Sequence, residues 1–308
     1  MNQVLIIKCG AAGDVVRTTT LLHPFSGWEI DWLVSKENRM LLPESRLRSI
    51  YEEPEALGAR RYDLVISLED DADYLVRAMA HIRYDAIFGA YPDQDGRLHY
   101  TDSASGWFDM GLISRYGIQE ANRLKYANHR SYQEIIFEGL GLTFQGEPYV
   151  MPDEIPPSAL EGDIAVALTA GKRWPMKNWY AMQALVDELS GSYKVNVLPV
   201  RPTLIEHLAD IRNHRFVIAP DSLPMHLALG LSKPCLAIFP CTSPWEIFDY
   251  GLLTKIVSPK LERYFFGKGF EEEAVTCIGF EQVMDTTLSL LERHGIAARE
   301  ALEVRAQR

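Results

Sequence analysis

The chain has 308 residues, 47% of them hydrophobic and 24% charged, an ordinary balance for a soluble globular protein and one that argues against a disordered chain. That length allows two domains of about 150 residues, each able to bury a core of its own. With 31 Lys+Arg against 42 Asp+Glu, the formal net charge of −11 argues against binding along nucleic acid and leaves room only for a local basic pocket.

In chain order, Val4 to Ile7 is the first apolar run, too short for a signal peptide or a membrane span, so a cytoplasmic protein is expected. The run leads into Lys8, Cys9, Gly10, Ala11, Ala12, Gly13 and Asp14, which reads as a buried parallel strand entering a turn of small residues where backbone can approach a ligand. A helix over Val15 to Leu22 follows, carrying Arg17 and Thr18 to Thr20. The turn is not the dinucleotide fingerprint, because the third glycine is missing. On pattern alone Asp14 fits a cap for that helix. Trp28 to Val34 reads as a strand, Ser35 to Leu42 as a helix, Tyr62 to Leu68 as a strand, Asp70 to Ile82 as a helix and Arg83 to Ala90 as a strand. Alternation of this kind, without tandem hairpin signals, predicts a doubly wound parallel sheet.

Tyr91 to Ala127 is polar and irregular and reads as a long connection suited to recognition, with Trp107 and Arg115 as its aromatic and cationic candidates. The pairs Asp71/Asp73 and Asp93/Asp95 are each D-x-D, but in a chain of 42 acidic residues chance supplies such pairs, and no metal site is expected. Ser131 to Leu142 is helical by spacing, and the prolines 148, 152, 156 and 157 then mark a boundary that separates domains 1–150 and 151–308.

In the second domain, Ile164 to Thr169 is a strand running into Gly171, Lys172, Arg173, Trp174 and Pro175, and Asn178 caps a helix to Ser190. Two cations beside a helix N-terminus suit a diphosphate, and a solvated basic turn is the alternative. Val195 to Val200 and the helix Leu204 to Ile211 follow. Phe216 to Ala219, a turn at Pro220 to Ser222, a helix with Pro224 in its first turn, and Cys235 to Phe239 make a strand, capped helix and strand. Asp221, Ser222 and His226 are then expected to face Thr242 and Ser243 across neighbouring strand ends. Leu252 to Val257 is a strand, Tyr264 to Gly269 an aromatic loop, and Cys277 to Leu291 the closing helix. The tail Ala297 to Arg308 is amphipathic, and it either packs back on the first domain or rests on anionic lipid. The four cysteines, Cys9, Cys235, Cys241 and Cys277, form no Cys-x-x-Cys pair and read as free thiols.

Three motifs together resemble glycosyltransferase family 9, the ADP-heptose:lipopolysaccharide heptosyltransferases. They are Gly10, Gly13 and Asp14 with Thr18, Thr19, Leu21 and Leu22; Lys172, Trp174 and Pro175; and Asp221, Ser222 and His226 with Thr242, Ser243 and Pro244. The family's glycine after the Asp-Ser pair is Leu223 here, and Thr20 stands where it has a proline. The resemblance implies two doubly wound Rossmann-like domains facing a cleft, the glycosyltransferase B arrangement. It implies an inverting, metal-independent transfer of a sugar, typically heptose from an ADP-linked donor, to a glycan or lipid-linked acceptor, with no cofactor. Asp14 becomes the general base and Lys172 the cation on the departing diphosphate. Donor contacts are then expected from Gly13, Thr169, Arg173, Glu206, Asp221, Ser222, Leu223, Met225, His226, Thr242 and Ser243, and acceptor contacts from Arg17, Trp107 and Arg115. Peripheral contact with the inner membrane face fits such an acceptor. Two other readings stand beside it: a non-catalytic or degenerate sugar-nucleotide binder, and a nucleotide-sugar epimerase.

Overall fold

The computed structural model describes residues 1–104, 111–171 and 174–299. They form two compact units, one of residues 1–104 and 111–154 with Trp245–Phe248, the other of 155–171, 174–244 and 249–299. The first divide falls in the proline-rich stretch, four residues beyond position 150.

The first unit holds a six-stranded sheet: β1 (Gln3–Ile7), β2 (Glu29–Leu33), β3 (Ser49–Tyr51), β4 (Arg60–Ser67), β5 (Ile82–Pro92) and β6 (Leu98–Tyr100), in the order β3-β2-β1-β4-β5-β6. All neighbours are parallel except β5 and β6. This is the Rossmann order, and the chain reverses direction across the sheet between β1 and β4. Val4 to Ile7 are completely buried, as a central strand with both faces covered requires. Helices α1 (Ala12–Thr18), α2 (Ala72–Ala80), α3 (Leu112–Ala127) and α4 (Tyr132–Gly139) accompany the sheet, α4 starting from a capping box of Ser131 and Glu134.

The second unit holds β7 (Gly162–Val166), β8 (Val195–Val197), β9 (His214–Pro220), β10 (Cys235–Phe239) and β11 (Leu253–Val257), all parallel, in the order β11-β10-β9-β7-β8. Counted within the unit this is 2-1-3-4-5, the other common doubly wound order, with its reversal between β7 and β9. Its helices are α5 (Met182–Ser190), α6 (Leu204–Arg212), α7 (Leu223–Gly230), α8 (Leu261–Tyr264), α9 (Glu272–Thr276) and α10 (Phe280–Arg293). Ile164, Val166, Phe216, Ile218, Leu236 and Ile238 form the centre of its core against α5 and α10.

Three sequence expectations are corrected. Ser35 to Leu42 forms no α-helix but turns and a short 3-10 segment, Arg39–Leu41, because Leu42 precedes Pro43 and is held extended. Tyr91 to Ala127 is not a featureless connection. Its start is a hairpin in which the Asp93 carboxylate accepts from the Asp95 and Arg97 amides and lies 2.9 Å from His99 Nε2. Its end is α3, whose pattern is obscured by Gly117 in a left-handed conformation inside the helix. Asn178 does not cap a helix either: its Oδ1 accepts the Ala170 amide at 2.7 Å, pinning the turn after β7, and α5 begins at Met182. The other D-x-D is also structural, since Asp71 caps α2 by accepting the Tyr74 amide.

Candidate functional site

In the first unit the site is built at the carboxyl ends of β1 and β4, where a doubly wound sheet leaves room for a ligand. The turn after β1 is held from three directions. Trp32 Nε1 donates to the Lys8 carbonyl at 3.1 Å, Asn38 Nδ2 to the Cys9 carbonyl at 2.7 Å, and Glu69 Oε1, from the end of β4, accepts the Cys9 and Gly10 amides at 2.6 and 3.1 Å. Gly13 and Asp14 then occupy the second and third positions of α1, which Ala11 precedes without a side-chain cap. Asp14 therefore does not cap the helix. Its carboxylate lies 2.8 Å from Arg17 NH2 and 4.0 Å from Lys8 Nζ, and one third of its side chain is open to solvent (33%).

Arg17 is buried, stacked 3.8 Å over the Tyr132 ring, and its second guanidinium nitrogen is 3.6 Å from Glu246 Oε1. Its charge is thus spent inside the protein, framing Asp14. Burial lowers the affinity of Arg17 for its proton, but Asp14 and Glu246 outweigh that and leave it above its ordinary value. The same balance holds at Lys8, where Asp14 and Glu69 overcome burial. Burial pushes the Tyr132 hydroxyl and the Cys9 thiol up to about 12, so both are neutral. Glu246 belongs to a short segment, Trp245–Phe248, in which Trp245 stacks on His129 at 4.4 Å. Neither Glu69 nor Glu246 stood out in the sequence, since a lone glutamate after a strand carries no motif. Arg115 is exposed on α3 near Asp102 (3.5 Å), and Trp107 lies outside the described residues.

In the second unit the donor motif brackets α7. Asp221 follows the last residue of β9, Ser222 is the extended residue directly before the helix, and Pro224 occupies its first turn. The Ser222 hydroxyl donates back to the Pro220 carbonyl rather than capping. Asp221 is buried, and its Oδ2 accepts from Lys177 Nζ and from Thr242 Oγ1, both at 2.7 Å. Lys177 also donates to the Asp221 carbonyl at 3.0 Å. Burial disfavours the ionised carboxyl, but Lys177, the Thr242 hydrogen bond and His226 prevail and hold Asp221 below its ordinary range. Asp221, His226 and Thr242 are thus brought together as expected, with a lysine that sequence reading passed over. Ser243 is fully buried beside Thr242, and among the described residues its hydroxyl has no hydrogen-bond partner.

The remaining donor candidates scatter. Leu223 is half-buried at the first position of α7, Met225 is buried, and Thr169 is exposed after β7. Glu206 forms a capping box with Thr203, accepting its hydroxyl at 2.7 Å. Lys172 and Arg173 lie outside the described residues. Among the described residues no cluster of three His, Cys, Asp or Glu could hold a metal ion, and no helix is long and apolar enough to cross a membrane.

Residues 161–265, about a third of the chain, match the model of glycosyltransferase family 9 (heptosyltransferase). No curated protein sequence matches. Among solved structures, the E. coli ADP-heptose lipopolysaccharide heptosyltransferase II is similar with a TM-score of 0.61 at 15% identity, over 96% of this chain and 100% of that one. A family 9 glycosyltransferase from Veillonella parvula gives 0.58 at 14% identity, over 95% and 97%. The E. coli heptosyltransferase WaaC with ADP-2-deoxy-2-fluoro heptose gives 0.55 at 15% identity, over 92% and 99%. The segment carrying the Asp221 motif therefore matches glycosyltransferase family 9, and the chain as a whole has the two-sheet, Rossmann-like fold of the heptosyltransferases.

Proposed function

We propose that this protein is an inverting, metal-independent glycosyltransferase that moves a sugar, heptose in the first instance, from an ADP-linked donor to a hydroxyl of a glycan or lipid-linked acceptor. The observation that carries this reading is Asp14: a carboxylate in the first turn of α1, just beyond the end of β1, flanked by two cations and still one third open to solvent. In the reaction the acceptor oxygen attacks the anomeric carbon as the bond to the donor phosphate breaks. The acceptor proton passes to Asp14, and ADP leaves. Lys172, Arg173 and the amides at the start of α7 neutralise the leaving diphosphate, the charge a divalent cation would otherwise meet. The buried Ser243 hydroxyl beside Thr242 offers a further donor to a ligand oxygen. Heptosyltransferase structures in complex with ADP and with an ADP-heptose analogue, on the same fold, support the choice of donor. The site of action is the cytoplasm, at the inner face of the membrane where lipid-linked acceptors are exposed.

A melting-temperature panel of ADP-, GDP-, UDP- and dTDP-sugars, with and without magnesium, tests the donor. Ligand at 100 times its dissociation constant stabilises the fold by about 2.7 kcal/mol. A magnesium-independent shift selective for ADP and ADP-heptose is expected. Asp14→Ala should then lower transfer to deacylated lipopolysaccharide core by about a hundredfold or more while the ADP shift survives. No shift with any nucleotide favours the degenerate binder, and turnover of donor without acceptor favours the epimerase.

A further inference from the structure

We propose that Glu69 is the positioning residue of the Asp14 site: from the end of β4 it grips the turn that carries Asp14 and, through the shared Lys8 ammonium, sets how strongly that cation pulls on the Asp14 carboxylate. The proposal rests on Asp14 being the base of the transfer reaction.

One oxygen of Glu69 takes three donors: Lys8 Nζ at 3.0 Å, the Cys9 amide at 2.6 Å and the Gly10 amide at 3.1 Å. An ionised carboxylate is an acceptor only and tolerates this convergence, whereas a protonated one would bring a competing donor. The turn that launches α1 is therefore fixed by a residue about sixty positions away in sequence, across the point where the sheet reverses.

Lys8 is the second half of the device. Its ammonium sits between two carboxylates, 3.0 Å from Glu69 and 4.0 Å from Asp14, with the Leu68 carbonyl as a further acceptor at 3.2 Å. Asp14 already has Arg17 at 2.8 Å. Were Lys8 to belong to Asp14 as well, two cations on one carboxylate would depress its basicity, and a general base loses rate as its pKa falls below the working range. Glu69 draws Lys8 toward itself and adds a negative charge of its own, and both effects keep Asp14 basic. The other groups around the pair are Arg17 on α1, Tyr132 on α4, Tyr149, and Glu246 on the 245–248 segment, with Cys9, Tyr74 and Asp71 on the far side of Glu69. The tyrosines and the thiol are pushed upward by burial and stay neutral.

The test needs no substrate. In the full chain carrying 13C-labelled aspartate and glutamate carboxyls, the Asp14 signal is assigned by its loss in Asp14→Asn and followed against pH. Glu69→Gln keeps an oxygen for the two amides and removes the charge. The Asp14 midpoint should then fall by about half a pH unit or more, and Lys8→Gln should move it the other way. An Asp14 midpoint unmoved by Glu69→Gln overturns the proposal and leaves Glu69 a clamp of the turn alone. Should Glu69→Gln fail to fold, the wild type decides: coupled carboxylates give two-step curves in which each signal registers the other's proton. A single-step Asp14 curve there overturns the proposal equally. Failure of the transferase reading would appear instead as undiminished turnover in Asp14→Ala.

Discussion

Replacing Lys177 by Met removes the cation from a pair in which Nζ and the Asp221 carboxylate are 2.7 Å apart, with side chains only 16% and 7% exposed. Thr242 and His226 remain, but neither supplies a full compensating charge. Breaking a buried pair from one side leaves an uncompensated charge and costs about 3–5 kcal/mol. For a unit of this size that is a fall in melting temperature of roughly 6–20 °C. The cost should depend on pH in a definite sense. In the wild type Asp221 titrates below its ordinary value of 3.8, so its contribution is complete above that value and is lost as pH falls through the lower folded one. In Lys177→Met the shift reverses, because burial, the largest influence on Asp221, is then opposed only by the Thr242 hydrogen bond and His226 and raises the carboxyl. The penalty is then full above the raised value and shrinks on acidification, as Asp221 takes up a proton. Urea unfolding, which does not screen charge, should show a wide gap between variant and wild type at about pH 8 and a narrow one at about pH 4.5. The double variant Lys177→Met/Asp221→Asn should recover most of the loss. A cost below about 1 kcal/mol, or one equal at both pH values, would refute the claim that this pair is a buried, mutually dependent charge.

Gly89 takes a positive φ of 103°, and a Cβ there would stand 1.9 Å from the Ser67 carbonyl oxygen. Gly89→Ala should therefore destabilise the first unit by at least about 3 kcal/mol, whereas Gly96→Ala, whose Cβ at φ +77° would meet only Val76 Cγ2 at an ordinary 3.6 Å, should cost only about 1 kcal/mol in the same melt. Leu223→Gly restores the small residue the family motif has at the head of α7. If the Leu223 side chain crowds the donor, calorimetry should show ADP binding about tenfold tighter, the equivalent of relieving about 1.4 kcal/mol of overpacking; an unchanged affinity would place the side chain away from the ligand.

What was legible in the sequence follows from what periodicity reports. Val4 to Ile7 and Cys235 to Phe239 are continuous apolar segments, which a buried parallel strand must have, so these central strands could be read directly, whereas the three-residue strands β3 and β6 are too short to show a pattern. The strap of residues 245–248, the hairpin at Asp93 and helix α3 could not be read either. The first depends on a tertiary contact through Glu246, the second on three polar bonds to one aspartate, and the third is interrupted by Gly117. Site residues divided in the same way. Asp14, Asp221 and Thr242 sit in local motifs, whereas Glu69 and Lys177 matter only through partners 44 to 61 positions distant. No local pattern marks such residues.

Those two residues have a common logic. In each unit the sheet reverses between two strands, β1 and β4 in one and β7 and β9 in the other. In each, a lysine following the first of these strands reaches the acid that follows the second. Lys8 meets Glu69 at 3.0 Å and the Leu68 carbonyl at 3.2 Å; Lys177 meets Asp221 at 2.7 Å and its carbonyl at 3.0 Å. The crevice at a reversal is open because crossover connections leave it in opposite directions, so past the last ladder bonds, Leu68 N to Ile7 O and Ala167 N to Ile218 O, its two lips need a further tie. An ammonium that bonds both a carboxylate and a main-chain oxygen of the opposite lip supplies that tie. It does so with a charge that also sets the protonation of the neighbouring site residue: directly for Asp221, and through sharing for Asp14. Fixing the geometry of each crevice and fixing its electrostatics are thus one interaction. Either lysine should therefore resist replacement even by a neutral side chain that packs equally well.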